Sequence, residues 1–250
     1  MLRDTLRNKE YFDENITFCE ECLSEDIEEV KVGSFVDKVK MKKSFRLVND
    51  ILNLAHQKYS RGDALAEFES YAFKVLEYRQ WQKHYADALP ENEQVARIGL
   101  EEIREDYLED WLRWLAFAYC LGMGQDYYQQ VLELIANQGQ DGLLDNIAVA
   151  MGDKGRAVAK SALFKKRFGK LFKVIEAEPV YKSALVKVYL DAWYTLYGSL
   201  DTHLLDNDAY NGYWCWGAAL VVKLYNIDDS SFIDHEYYPK DLVHWQDNNK

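Results

Sequence analysis

Four side chains near the end of the chain are of the types that bind metals or move protons: Asp228, Asp229, His235 and His244. Two carboxylates and two imidazoles can hold a divalent ion and activate a water, the chemistry of a metal-dependent hydrolase. The spacing is poor for that task. Adjacent aspartates point in different directions on a turn or helix, and the five histidines (His56, His84, His203, His235 and His244) are scattered. No HExxH, P-loop, GxSxG or nucleotide-binding fingerprint occurs. The pair Cys19 and Cys22, in "CEEC", suggests zinc or thiol redox chemistry instead. A zinc site wants a second Cys or His pair at matching spacing, and none exists. Acidic neighbours also oppose the thiolate that redox chemistry needs. The residues therefore imply no catalytic group, no metal and no cofactor.

The charge says more. Lys plus Arg is 30 and Asp plus Glu is 42, a net of −12 over 250 residues. Lys154 to Lys187 holds ten basic residues and two acidic ones, so the rest of the chain carries −20. Such a surface repels nucleic-acid phosphates and attracts basic proteins, whose association it speeds. With 48% hydrophobic and 14% aromatic residues the chain is not disordered. It is long enough to bury roughly 70–75% of its unfolded surface without metals or disulfides. "MLRDTLRNKEYFDE" has no apolar run of the secretory kind, and "WLAFAYCLGM" is about half the length a bilayer requires. A soluble, cytoplasmic protein that meets neither membrane nor nucleic acid is expected.

Helices must position whatever this chain presents. Only three prolines occur, and apolar residues recur at three- and four-residue steps almost throughout. Tyr11, Phe12, Ile16, Cys19, Leu23 and Ile27 outline a first helix, and Ser34 is placed to cap the next. Phe45, Val48, Ile51, Leu52 and Ala55 line the second, after which Asp63 is expected to cap a third. One long helix is expected from Glu93 to Leu121, with Ile98, Ile103, Tyr107, Leu108, Trp111, Leu112 and Leu115 inward and Glu101, Glu102, Glu105, Asp106, Glu109 and Asp110 outward. Phe164, Phe168, Leu171, Phe172 and Ile175 form an amphipathic face whose lysines point to water or to neighbouring acids. Pro179 ends that helix, another follows to Leu200, and "GYWCWGAALVVKLYN" reads as a helix buried on most sides. No strand or hairpin signal appears, and no fixed repeat. The expected fold is all-α, a helical bundle or short solenoid of antiparallel helix pairs. Two regions, 1–122 and 123–250, are expected to pack as one unit.

The stretch from Gly212 onward carries a resemblance. Gly212, Tyr213 and Trp214, then Asp228, Asp229 and Ser230, then Tyr237, Tyr238 and Pro239, then Asp241 and Leu242 spell GYW, DDS, YYP and DL. This resembles the C-terminal signature of the PoNi family, immunity proteins that neutralise PoNe-type DNase toxins of type VI secretion and related polymorphic toxin systems. "RDTLRNKEYFDENI" and "YSRGDALAEFESY" are similar to the family's other region. One position departs: the pattern suggests Glu after "WCW", and this chain has Gly217. Pro239 restricts Tyr238 to extended geometry, and Tyr238, Pro239 and Leu242 are expected to pack against the helix around Trp214–Val222.

The resemblance implies a protein that binds and blocks a nuclease and does no catalysis. The charge agrees independently, because a DNase must be basic to hold phosphates. Recognition is expected on acidic surface residues: Glu102, Glu105, Asp106 and Glu109 on the acidic helix, and Asp201, Asp206 and Asp208 in the loop before the signature. A helical adaptor for another basic protein is the alternative, with the metal-dependent hydrolase behind it. Self-association is left open.

Overall fold

The structure is a computed structural model and describes residues 1–198 and 201–246. Among these residues there are eleven α-helices, three short 3-10 turns and no strand, so the fold is all-α. No helix among them is long and apolar enough to cross a membrane. The chain forms two compact units: residues 1–102 with 202–212, and residues 103–201 with 213–250.

The first unit is built on α1 (Lys9–Val32), α2 (Asp37–Arg61), α3 (Phe68–Asp87) and α4 (Val95–Glu101). Asn8 caps α1, its side-chain oxygen accepting from the Tyr11 amide at 2.9 Å. Phe12, Ile16, Leu23 and Val30 are buried from α1, and α2 packs against both α1 and α3. Full burial of an aromatic such as Phe12 contributes about 1.5–3 kcal/mol. Ser34 does not cap α2, which starts three residues later with Val36 at its N-cap. Asp63 does not cap a helix either. Its carboxylate takes two Arg61 guanidinium bonds, at 2.7 and 2.6 Å, and a 3-10 turn at Leu65–Glu67 leads into α3. Ala96 and Leu100 of α4 pack on Met41, Ala86 and Leu89.

The returning segment 202–212 closes this unit. Tyr210 is fully buried. Its hydroxyl donates to Asp4, and its backbone exchanges hydrogen bonds with the Tyr11 hydroxyl at 3.0 and 3.1 Å. Asn211 accepts from Gln57 at 2.7 Å through its side chain and from Ser60 at 2.6 Å through its carbonyl.

The second unit holds α5 (Glu105–Leu121), α6 (Gln125–Leu134), α7 (Gly142–Met151), α8 (Lys165–Glu176), α9 (Pro179–Tyr197), α10 (Trp216–Leu224) and α11 (Lys240–Val243). The single long helix expected from Glu93 to Leu121 is two, because residues 102–104 leave the helix and Arg104 is extended. The charges supply the reason. Glu101, Glu102, Glu105 and Asp106 would crowd one continuous helix with like charges. The break instead puts Glu105 and Asp106 in the first turn of α5, where the helix dipole favours anions. Pro179 opens α9 at its first turn, where a missing N–H costs nothing.

The centre of the second unit is α10. All side chains from Trp216 to Val222 are buried, and α10 contacts α5, α7, α8, α9 and α11. Trp216 meets Phe117 edge-on at 4.9 Å. Gly217 permits a close approach: a Cβ there would stand 3.0 Å from a Leu171 methyl and 3.2 Å from one of Leu112. A side chain at 217 would require Leu171 and Leu112 to give way. The α10 helix starts four residues later than Gly212, because Gly212–Cys215 are not helical and Gly212 itself is left-handed.

A buried polar knot fixes the loop between α7 and α8. Asp145 is fully buried and accepts from Arg156 Nε at 2.7 Å and from the amides of Gly139 and Ala159 at 3.1 and 3.0 Å. The rest of the Arg156 guanidinium donates to the carbonyls of Ile135 and Ala136, at 3.0 and 2.9 Å. Asp141 caps α7 through Leu144 N at 2.8 Å and also holds Leu163 N at 2.6 Å. Breaking such a satisfied buried pair costs about 3–5 kcal/mol.

Candidate partner-binding surfaces

The signature residues form a lock. Tyr238 is 2% exposed and donates its hydroxyl to Asp229 Oδ2 at 2.9 Å. His244 Nε2 lies 2.7 Å from the same oxygen. The Tyr238 ring meets Phe232 edge-on at 5.2 Å, and Leu242 is fully buried on α11, which packs against α10. Cys215 N donates to Tyr237 O at 2.8 Å, tying the Gly212–Cys215 run to the YYP segment. Tyr237 stacks on Tyr194 at 5.6 Å, and burial pushes its phenol up to about 12. Tyr213 and Trp214 are buried, and Gly212 sits at φ 111, a left-handed conformation that favours glycine. Pro239 sets the N-terminus of α11, and Asp241 is exposed in its first turn. Of Tyr238, Pro239 and Leu242, expected against the helix around Trp214–Val222, Leu242 lies on α11, which packs against α10.

The four candidate hydrolase residues do not converge. Asp228 is absorbed by Ser230, whose amide and hydroxyl donate to it at 3.0 and 3.1 Å. His235 lies 3.4 Å from Asp191 and accepts from Tyr237 N, and burial lowers its pKa. Only Asp229 and His244 meet. No group of three His, Cys, Asp or Glu side chains able to hold a metal occurs among the described residues. Cys19 and Cys22 are free, half-buried thiols on α1, and burial pushes the Cys19 thiol up.

The acidic residues separate by burial. Glu105 and Asp106 are exposed at the start of α5, Asp106 beside Arg104 at 3.3 Å. Glu102 is exposed but lies outside α5, at the end of α4. Glu109 is buried, its carboxylate 3.0 Å from Arg167, and burial pushes its pKa up against the pull of that guanidinium. Asp201 is exposed at φ 46 and accepts from the Tyr194 hydroxyl at 2.5 Å. Asp206 and Asp208 are exposed and form no ion pair among the described residues, with Leu204 and Leu205 exposed next to them and the Arg7 guanidinium donating to the Leu205 carbonyl.

A further acidic surface lies on α1. Glu10, Glu14, Phe18, Glu21, Glu25 and Glu28 are all exposed, at steps of four, four, three, four and three. They form one stripe along the helix. The flanking acids are neutralised within the unit: Asp13 by Lys9 and Arg61, Glu20 by Lys58, and Asp26 and Glu29 by Lys43. The stripe glutamates take part in no ion pair among the described residues. Phe18, 57% exposed, stands in their midst. Its signal was present in the sequence, on the face opposite the apolar one.

No curated protein matches the chain. In fold it is similar to the crystal structure of protein PA2201 from Pseudomonas aeruginosa, with a TM-score of 0.78, 18% identity, and cover of 99% of this chain and 91% of that one. Residues 139–242, the segment that carries the DDS and YYP-DL lock, match the family model of PoNe immunity proteins (PoNi), C-terminal.

Proposed function

We propose that the chain is an immunity protein that binds and neutralises a cognate PoNe-type nuclease toxin and does no chemistry of its own. The match of residues 139–242 to the PoNi C-terminal model carries this reading. The signature within that match serves the fold rather than the partner, since Tyr238, Leu242, Tyr213 and Trp214 are buried. Recognition falls to the exposed acids. A nuclease must hold phosphates and is therefore basic. An acidic inhibitor is steered to it quickly and covers the surface that DNA would use. Glu105, Asp106, Asp201, Asp206 and Asp208 remain candidates for this contact. Action in the cytoplasm beside a type VI secretion or related polymorphic toxin system belongs to the same reading.

The test is inhibition of the nuclease encoded next to the gene for this chain. Purified chain added in stoichiometric amounts is expected to abolish DNA cleavage, and co-expression is expected to protect a bacterial host. A cognate nuclease that neither binds the chain nor slows in its presence sinks the proposal.

A further inference from the structure

The second unit carries a surface of opposite sign. Lys154 and Lys160 on the α7–α8 loop, and Lys165, Lys166, Lys170 and Lys173 on α8, are all exposed. None of the six is in an ion pair among the described residues. The other cations of the basic stretch are engaged: Arg156 in the Asp145 knot, Arg167 on Glu109, Lys182 on the Ile175 carbonyl and Lys187 on Asp191. Lys166, Lys170 and Lys173, at steps of four and three, share one side of α8. The opposite side of α8 is committed to the core through Phe168, Leu171, Phe172 and Val174, so this helix has no apolar face left for a membrane. The loop beside it is held rigid by Asp141 and Asp145 and leaves Val158 and Leu163 each 46% exposed among the lysines.

We infer that this lysine ridge is a docking surface for the glutamate stripe of α1 on a second copy of the chain. The two surfaces complement each other in sign and in kind. One offers lysines around exposed Val158 and Leu163, the other Glu10, Glu14, Glu21, Glu25 and Glu28 around exposed Phe18. The stripe rides on α1, and the ridge on α8 and the loop held by Asp141 and Asp145, so little ordering is needed on contact. The ridge cations are all lysines, point charges suited to dispersed carboxylates, and no exposed aromatic lies in the 154–173 stretch to stack a base.

The contact is heterologous, ridge to stripe, so each bound copy leaves one surface of each kind open and assembly passes beyond a pair unless the rotation closes a ring. The net charge of −12 sets the salt dependence. At about 0.01 M salt the screening length is about 30 Å and whole copies repel. At about 0.1 M it falls to about 10 Å, which mutes that repulsion while the touching pairs persist. At about 1 M the pairs themselves are screened.

Sedimentation velocity over a concentration series tests this. The wild type is expected to show mass increasing with concentration, most at the intermediate salt and least at the highest. K166E/K170E/K173E and E14K/E21K/E25K are each expected to stay monomeric, with wild-type circular dichroism. Mixing them pairs a negative ridge with a positive stripe, and a positive ridge with a negative stripe, so association is expected to return. Wild type that is monomeric at every concentration and salt overturns the inference, as does association that survives in both variants or a mixture that stays monomeric. If the monomeric wild type instead retains a labelled DNA duplex, and K166E/K170E/K173E loses it, the ridge belongs to nucleic acid and the inference is wrong.

Discussion

Reversing the charge of Glu109 separates a buried structural acid from a surface one. Its carboxylate is 9% exposed and lies 3.0 Å from Arg167, which is 13% exposed. Arg167 also covers the Tyr197 ring at 4.4 Å, so it cannot swing to water without losing that packing. Glu109→Lys leaves two desolvated cations in contact, and breaking a buried pair costs about 3–5 kcal/mol. For a chain of this size each kcal/mol moves Tm by about 2–4 °C, so the variant is expected to melt about 6–20 °C below wild type. The comparison is Glu105→Lys with Asp106→Lys. Glu105 lies 4.0 Å from Arg167 and Asp106 3.3 Å from Arg104, both acids exposed, so their reversal is expected to change stability by no more than about 1 kcal/mol. Thermal melts followed by circular dichroism decide between them. If Glu109→Lys melts with wild type while nuclease binding falls, Glu109 is a contact residue and the burial argument fails.

Three other outcomes follow from the same geometry. Tyr238→Ala is expected to lose about 3–5 kcal/mol in urea unfolding, and Tyr238→Phe, which removes the hydroxyl that donates to Asp229, about 1.5–3 kcal/mol; a wild-type midpoint for both would mean the YYP segment is not a lock. Glu109 has a folded pKa above the ordinary value, so folding favours its protonated form and its contribution grows as pH falls toward that pKa. The unfolding free energy of wild type minus that of Glu109→Gln is therefore expected to rise between about pH 7 and pH 5, and a flat or falling difference contradicts it. Burial pushes the Cys120 thiol up to about 12 and Cys215 well up, so neither is expected to react with a thiol reagent near pH 8 until urea unfolds the chain, whereas Cys22 reacts natively; rapid native labelling of four thiols would show the core to be open.

Much of the helical order was legible because three- and four-residue apolar spacing leaves few other solutions. The buried α10 follows from local chemistry, whereas the Asn8 cap went unread and Pro179, expected to end α8, opens α9 instead. The buried role of Tyr238 could be read from its neighbour Pro239 and from the returning Leu242. Glu109 could not. Its partner lies 58 residues away, and on the sequence it looks like Glu105, one turn before it. The break after Glu101 was hidden for a related reason: apolar residues stay in phase across it, and only the crowding of carboxylates marks it. The α1 stripe was missed because attention to the apolar face of a helix ignores what the other face repeats.

The first unit cannot be cut free at one point. Its last piece, residues 202–212, is delivered only after about a hundred residues of the second unit have been made, a loop whose closure entropy grows by about 0.6 kcal/mol per doubling of length. Until Tyr210 and Asn211 arrive, Asp4, Tyr11, Gln57 and Ser60 lack the partners that bind them in the finished protein. During synthesis α1 to α3 can therefore pair early, through short-range contacts, yet wait for their seal. A ribosome pausing before residue 202 would hold a half-closed bundle with a polar seam open to water. Completion of the N-terminal unit is thus timed by the C-terminal half of the message, and a protein shortened from that end loses both units together.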